Sequence, residues 1–337
     1  MDSEYYWPAE WETQTATWIA WPHHRETWPG YFAPVPATFV KFIEALSQVQ
    51  RVEVLAGPTD IDPAARQHVS HLPRVTVHDI VTNDVWIRDY GPTFVKRRRD
   101  DQLVGINWIF NSWGGKYPPF DDDAAAATRI CRAVGIEVSD SPLCCEGGGL
   151  ETNGRGTLLT TSSVLLSPAR NPNWSRDEIE RELKLRLGVT QIIWVDGGGL
   201  AGDDTDGHID QLARFVNTDT LVVAVSSERS DSNFDGLQEN YRQLSCAHDA
   251  NGQRMNTIPL PTPAPRLVDG KRVPESYCNF LIANGIVIVP TFRAATDEPA
   301  LRLIEQLMPD RRIVPLDAFD LIWGLGAFHC ASQQQPA

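Results

Sequence analysis

Gly324-Leu325-Gly326-Ala327-Phe328-His329-Cys330-Ala331-Ser332-Gln333-Gln334 brings a single thiol along a glycine-rich approach close to the end of the chain. A thiol on a tight, glycine-flanked turn is a way to hold a nucleophile up to a substrate. A plainer reading stands beside it, because a free cysteine leading into a C-terminal strand is commonly buried core. The choice depends on whether the chain also supplies the imidazole and carboxylates that such a thiol needs. Gly202-Asp203-Asp204-Thr205-Asp206-Gly207-His208-Ile209-Asp210 contains both.

Five of the eight residues from Asp203 to Asp210 could bind a metal or move protons. The stretch lacks the second histidine expected of a zinc hydrolase and the terminal glutamate of a calcium loop. His208 and Asp210 are i and i+2, so in an extended segment they share a face, and 212–216 reads as strand. One imidazole and one carboxylate on one face suit an acid/base group beside a cation clamp.

Composition narrows the function classes. The chain has 337 residues, 42% of them hydrophobic and 22% charged, and contains no apolar run of membrane-spanning length. The N-terminus, Met1-Asp2-Ser3-Glu4-Tyr5-Tyr6-Trp7, lacks the basic and apolar regions of a secretory signal. A cytoplasmic setting with reduced thiols is the expectation for its six cysteines, which show no paired zinc spacing. The net charge of -14 argues against nucleic acid and is compatible with a cationic substrate. No membrane partner is expected, and a homo-oligomer is the default for a soluble enzyme.

No low-complexity linker divides the chain, so one domain is expected over 1–337. Strand-like runs fall at 17–21, 52–55, 75–77, 103–109, 157–161, 192–195, 221–225, 280–283 and 287–289. Helical patterns fall at 37–46, 124–134, 176–187 with Ser175 as N-cap, 235–244 and 298–307. Strands and helices alternate with a rough module length of about 65 residues. This is an α/β chain, and no Gly-x-Gly-x-x-Gly opens a helix after the first strand.

Two further stretches carry charge at element ends. Asn83-Asp84-Val85-Trp86-Ile87-Arg88-Asp89-Tyr90-Gly91-Pro92 reads as the end of a strand running into a turn. Its carboxylates either face a site or pair with Arg88 at a sheet rim, and Trp86 is either core or the floor of a pocket for a planar cation. In Cys144-Cys145-Glu146-Gly147-Gly148-Gly149 the glycines allow close backbone approach. Glu146 either takes part in chemistry or satisfies backbone N–H groups.

Taken together, these four stretches resemble the agmatine deiminase and bacterial peptidylarginine deiminase family of guanidine-modifying enzymes. The resemblance extends through Ala9-Glu10-Trp11-Glu12, Trp18-Ile19-Ala20-Trp21-Pro22, Asn111-Ser112-Trp113-Gly114-Gly115-Lys116-Tyr117-Pro118, Arg170-Asn171-Pro172 and Tyr277-Cys278-Asn279-Phe280-Leu281. It implies a pentein β/α propeller, with five pseudo-symmetric modules around a central active site in one catalytic deiminase domain. It also implies Cys330 as nucleophile, His208 as general acid/base, Asp89 and Asp210 gripping the guanidinium, and Glu146 beside the histidine. Trp86 and Asn279 are implied near the substrate. Leu150-Glu151-Thr152-Asn153 and Leu325 depart from the family pattern, which has an Ile-His-x-Asp type sequence at the first and a glycine at the second.

The implied reaction needs no metal and no organic cofactor. Agmatine would give N-carbamoylputrescine and ammonia, and peptidyl-arginine or another small guanidino compound is the alternative within the same chemistry. A metal-dependent hydrolase using the Asp/His cluster is the alternative from another class, and a non-catalytic guanidine-binding protein is the third.

Overall fold

The computed structural model describes residues 3–57 and 62–337, so Met1 and Asp2 of the acidic N-terminus lie outside the described residues. Among the described residues one pattern recurs five times. A strand pairs antiparallel with the next, a helix crosses over, and a third strand returns parallel to the second. Strands contiguous in sequence make the first pairing through a short turn, and the parallel second pairing needs a helix.

Thr93–Arg97 and Leu103–Ile109 are antiparallel, and Glu137–Cys144 returns parallel after the helix Asp121–Val134. Glu151–Thr152, Thr157–Thr161 and Gln191–Val195 repeat this around Arg176–Leu187. Ala213–Phe215, Thr220–Val225 and Asn256–Pro261 do so around Phe234–Ser245. Leu281–Ala283, Ile286–Thr291 and Arg312–Asp317 do so around Asp297–Leu307. The fifth unit joins both ends of the chain: Gln333–Pro336 is antiparallel to Gln14–Ala20, and Arg51–Gly57 then follows the helix Val35–Ser47. Val75–Val81 extends this last sheet. Among the described residues the sheets do not hydrogen-bond into one closed barrel.

Local chemistry accounts for the element ends. Ser175 caps Arg176–Leu187 in a reciprocal box with Glu178, as its sequence position suggests. Asp121, Asp122 and Asp123 put negative charge on the first turn of Asp121–Val134. Strands such as Glu137–Cys144 and Gln333–Pro336 lie outside the predicted runs, because their polar residues break the apolar pattern. Buried Trp18, Phe39, Phe42, Val54 and Phe328 belong to the larger apolar cluster, and Trp7, Leu143 and Leu183 to a second. Burying each large apolar side chain stabilises by roughly 1.5–3 kcal/mol. Phe42 and Phe328, with ring centroids 5.0 Å apart, fix the Cys330 turn to the helix Val35–Ser47.

Immediately before the first strand of each unit lies a short turn. These are Ile87–Tyr90, Gly147–Gly149, Ile209–Gln211, Tyr277–Asn279 and the turn through Cys330. Two expectations need correction here. Val75–Val81 ends before Asn83, and Asp89 sits on a single helical turn instead of a strand end. His208 precedes a 3-10 turn that contains Asp210, so the pair is not on one face of an extended segment.

Candidate active site

All seven sequence-predicted residues come together at these turns. Trp86, Asp89 and Cys330 line a cavity of about 810 Å³, while His208, Asp210, Glu146 and Asn279 are buried and outside its lining. Gly148 shows how close they are. A Cβ there would stand 2.6 Å from His208 Nδ1, 2.7 Å from Asp89 Oδ1 and 3.3 Å from Asp210 Oδ2.

Cys330 is held from both sides. Its carbonyl accepts from the Arg88 amide at 3.1 Å, and Asn279 Oδ1 accepts from the Cys330 and Ala327 amides. Its Sγ lies 3.1 Å from Asn279 Nδ2 and 3.5 Å from Asp210 Oδ2. The approach is tight, since a Cβ on Gly326 would meet Trp86 at 2.5 Å and Cys330 Cβ at 3.0 Å. Leu325, between the two glycines, takes φ +70, a left-handed conformation that costs a non-glycine residue about 1–2 kcal/mol.

His208 sits between two carboxylates, with Nδ1 3.5 Å from Asp89 Oδ1 and Nε2 3.5 Å from Glu146 Oε2. Burial pulls its pKa down, but the charges of Asp89, Glu146 and Asp210 outweigh burial and raise it to about 9. Asp89 is pushed up to about 6, chiefly by burial. Burial also raises Asp210, yet the His329 hydrogen bond and the nearby positive charges hold it below the ordinary carboxylate range. Cys330 is pushed well above the usual thiol range by burial and then by the Asp210 and Asp89 charges.

The alternatives left open by the sequence separate cleanly. Arg88 pairs with neither Asp84 nor Asp89; it donates to Gln334 Oε1 at 2.6 Å and to the His329 carbonyl at 3.3 Å. Glu146 binds side chains instead of backbone N–H groups, with Arg170 Nε 2.8 Å from Oε1 and 3.0 Å from Oε2. Trp86 is both core and cavity wall. Among the described residues no group of three or more His, Cys, Asp or Glu side chains is arranged to hold a metal ion.

Sequence reasoning gave no role to Trp113, Arg170, Glu10, Arg214 or His329. Trp113 Nε1 donates to Asp89 Oδ2 at 2.9 Å. His329 links Asp210 to Glu10, with Nδ1 2.7 Å from Asp210 Oδ2 and Nε2 2.9 Å from Glu10 Oε2. Glu10 in turn accepts from Arg214 at 2.7 Å. Each of these except Arg214 lies in a stretch that carries the family resemblance or directly precedes Cys330, which was the available signal.

One thiol, one imidazole and three carboxylates meet at the turns of an α/β fold, the set of groups that a guanidine-modifying enzyme needs. The family follows from comparison. The chain belongs to the Porphyromonas-type peptidyl-arginine deiminase family, whose model matches residues 6–336. It is 35% identical over 361 residues to the agmatine deiminase of Stutzerimonas stutzeri, covering 99% of this chain and 96% of the relative. It is 33% identical over 364 residues to the agmatine deiminase of Medicago truncatula, with 99% and 96% covered. The solved agmatine deiminase of Enterococcus faecalis superposes with a TM-score of 0.93 at 30% identity, over 99% of this chain and 96% of that one. Among the described residues no helix is long and apolar enough to cross a membrane.

Proposed function

We propose that the protein is an agmatine deiminase, hydrolysing the guanidinium of agmatine to N-carbamoylputrescine and ammonia through a covalent Cys330 adduct. The observation that carries this is Asp210 Oδ1, a buried oxygen with no hydrogen-bond partner among the described residues. Both ring nitrogens of His208 have a carboxylate oxygen at 3.5 Å but make no hydrogen bond. A buried acceptor without a donor is costly, and it is satisfied when a ligand brings the donor. A planar cation with N–H groups on two edges, placed between Asp210 and Asp89, supplies it.

Cys330 then acts as nucleophile. The guanidinium charge between the two carboxylates offsets the field that keeps the thiol protonated, so the thiol gives its proton to solvent and the thiolate forms as substrate docks. A bond forms from sulfur to the guanidinium carbon. One C–N bond breaks, and the departing nitrogen takes a proton from His208 to leave as ammonia. Water gives a proton to His208 and adds to the thiouronium carbon, and the C–S bond breaks to release the ureido product and the thiol. Glu146, fixed by Arg170, orients His208, while Asn279 positions the sulfur and Trp86 lines the slot.

The cavity wall favours a cation at the far end of the substrate. It carries Glu26, Asp84, Asp123 and Asp204 against Lys116, Lys271 and Arg272, and of these cations Lys116 is engaged by Asp206 and Arg272 by Asp231. The repeated strand pattern, with one site turn before each unit, supports reading the fold as five pseudo-symmetric modules around the site. One catalytic domain in a cytoplasmic setting, with no metal or organic cofactor, is part of the same reading.

The test is an ammonia-release screen over agmatine, free arginine, a peptidyl-arginine and shorter guanidinoalkylamines. Agmatine is expected to be the best substrate, with turnover unaffected by chelators and abolished in Cys330→Ala. Turnover of peptidyl-arginine alone would overturn the substrate. Full activity in Cys330→Ala, or loss on metal stripping, would overturn the chemistry.

A further inference from the structure

We propose that Trp113 is a positioning residue for Asp89, presented by a strained left-handed turn that exists to aim its indole N–H at the carboxylate. This rests on the deiminase reading and adds a residue to which that reading gives no part. The starting observation is the backbone. Ser112, Trp113, Gly114 and Gly115 have φ values of +56, +55, +92 and +83 in succession. Two consecutive non-glycine residues in the left-handed region are sterically unfavourable, and such conformations persist where the surroundings enforce them.

The surroundings do enforce this one. Asn111 Oδ1 accepts from the Gly114 amide at 2.9 Å, and Asn111 Nδ2 donates to the Ala169 carbonyl at 2.9 Å. Ser112 Oγ donates to the Tyr117 carbonyl at 3.1 Å. Beyond the turn, Tyr117 donates to Asp204 Oδ2 at 2.6 Å and Lys116 pairs with Asp206, so the turn is anchored across the cavity. The ring of Trp113 packs edge-on against Phe110 at 5.4 Å.

Packing explains the ring but not the direction of its N–H. Trp113 Nε1 holds Asp89 Oδ2 at 2.9 Å while the Gly148 amide holds Oδ1 at 3.0 Å. One donor on each oxygen fixes the carboxylate plane and leaves each oxygen a lone pair for a guanidinium N–H. The other groups facing Asp89 are His208, Asp210, Glu146 and Cys330, and none of them is bonded to Oδ2. The indole therefore determines how Oδ2 is presented, and it favours the charged carboxylate.

The experiment measures agmatine binding by calorimetry to the full chain carrying Cys330→Ser, with and without Trp113→Phe, between pH 5 and 8. Losing a hydrogen bond to a charged acceptor is expected to weaken binding by about ten- to a hundredfold. The pH below which affinity falls should also move upward, because Asp89 loses a donor to its ionised form. A third arm places Trp113→Phe on Asp89→Asn, where little further loss is expected. Replacing Trp113 by its benzothienyl isostere keeps the ring volume without the N–H, and it should reproduce the effect even if the phenylalanine variant folds poorly. Unchanged affinity and pH profile in the isostere would overturn the proposal. So would an equal loss on the Asp89→Asn background, which would mean that the ring acts by packing alone. Failure of the Cys330→Ser parent to bind any guanidino compound is a different result, and it would take down the deiminase reading as well.

Discussion

The sulfur of Cys330 lies 3.5 Å from Oδ2 of Asp210, and its hydrogen-bond partners do not include His208. A nucleophile beside a buried carboxylate is held as a thiol until positive charge arrives. A neutral haloacetamide should therefore label Cys330 slowly at pH 7, and a cationic haloacetamidine of similar size should label it on the order of a hundredfold faster. Asp210→Asn should reverse the order by speeding the neutral reagent and slowing the cationic one. Labelling must be read on the Cys330 peptide by mass spectrometry, because Cys246 is exposed. Equal rates for the two reagents, or equal slowing of both in Asp210→Asn, would contradict this picture.

His208 makes stability depend on pH in a defined direction. Its folded-state pKa of about 9 lies above the ordinary histidine value, so the folded protein binds the extra proton more tightly than the unfolded chain. That contribution is fully present below about pH 6.5 and is lost as pH rises toward 9. The melting temperature should fall by a few degrees, in order of magnitude, between pH 6.5 and 8.5, and His208→Gln should flatten the slope. Glu151, pushed up to about 7 chiefly by burial, gives up its own contribution mostly below this window. A slope that is the same in His208→Gln would assign the effect elsewhere.

How much of this was legible in sequence follows from where each residue sits. The α/β alternation and most core strands were readable because β-branched runs such as 221–225 carry a local signal. Cys330, His208, Asp210, Asp89 and Glu146 stood out as reactive types beside glycines. Their convergence was not readable from periodicity, because each lies on a one-turn connection too short to have a period, and only the family resemblance joined them. Trp113 and Arg170 lie in stretches that carry the resemblance, but their roles were hidden for another reason. A tryptophan or an arginine in a loop has no typical sequence context, and its role appears only when a partner 24 residues away in the chain meets it, as Asp89 meets Trp113 and Glu146 meets Arg170.

Arg214 holds two carboxylates together behind the site. Its guanidinium is wholly buried, with Nε 2.9 Å from Glu151 Oε2 and Nη2 2.7 Å from Glu10 Oε2. Nη1 donates to the Phe280 carbonyl at 2.7 Å, and the group lies 4.8 Å from the centre of the Phe280 ring. Arg88, the other arginine near Glu10, is too distant at 4.0 Å to take over, and burial lowers the pKa of His329, which bonds Glu10 at 2.9 Å. Arg214→Met leaves two buried glutamates without their counter-charge, and it should cost about 3–5 kcal/mol in urea denaturation. Glu151→Gln keeps the Arg214–Glu10 pair, so its cost should be smaller, about 1–3 kcal/mol. The same substitutions should separate in activity, because Glu10 passes its position to Asp210 through His329. Folded Arg214→Met protein should bind agmatine more weakly, whereas Glu151→Gln should stay near wild type. A loss under about 1 kcal/mol in Arg214→Met would show that the network is not needed to hold the fold behind Asp210.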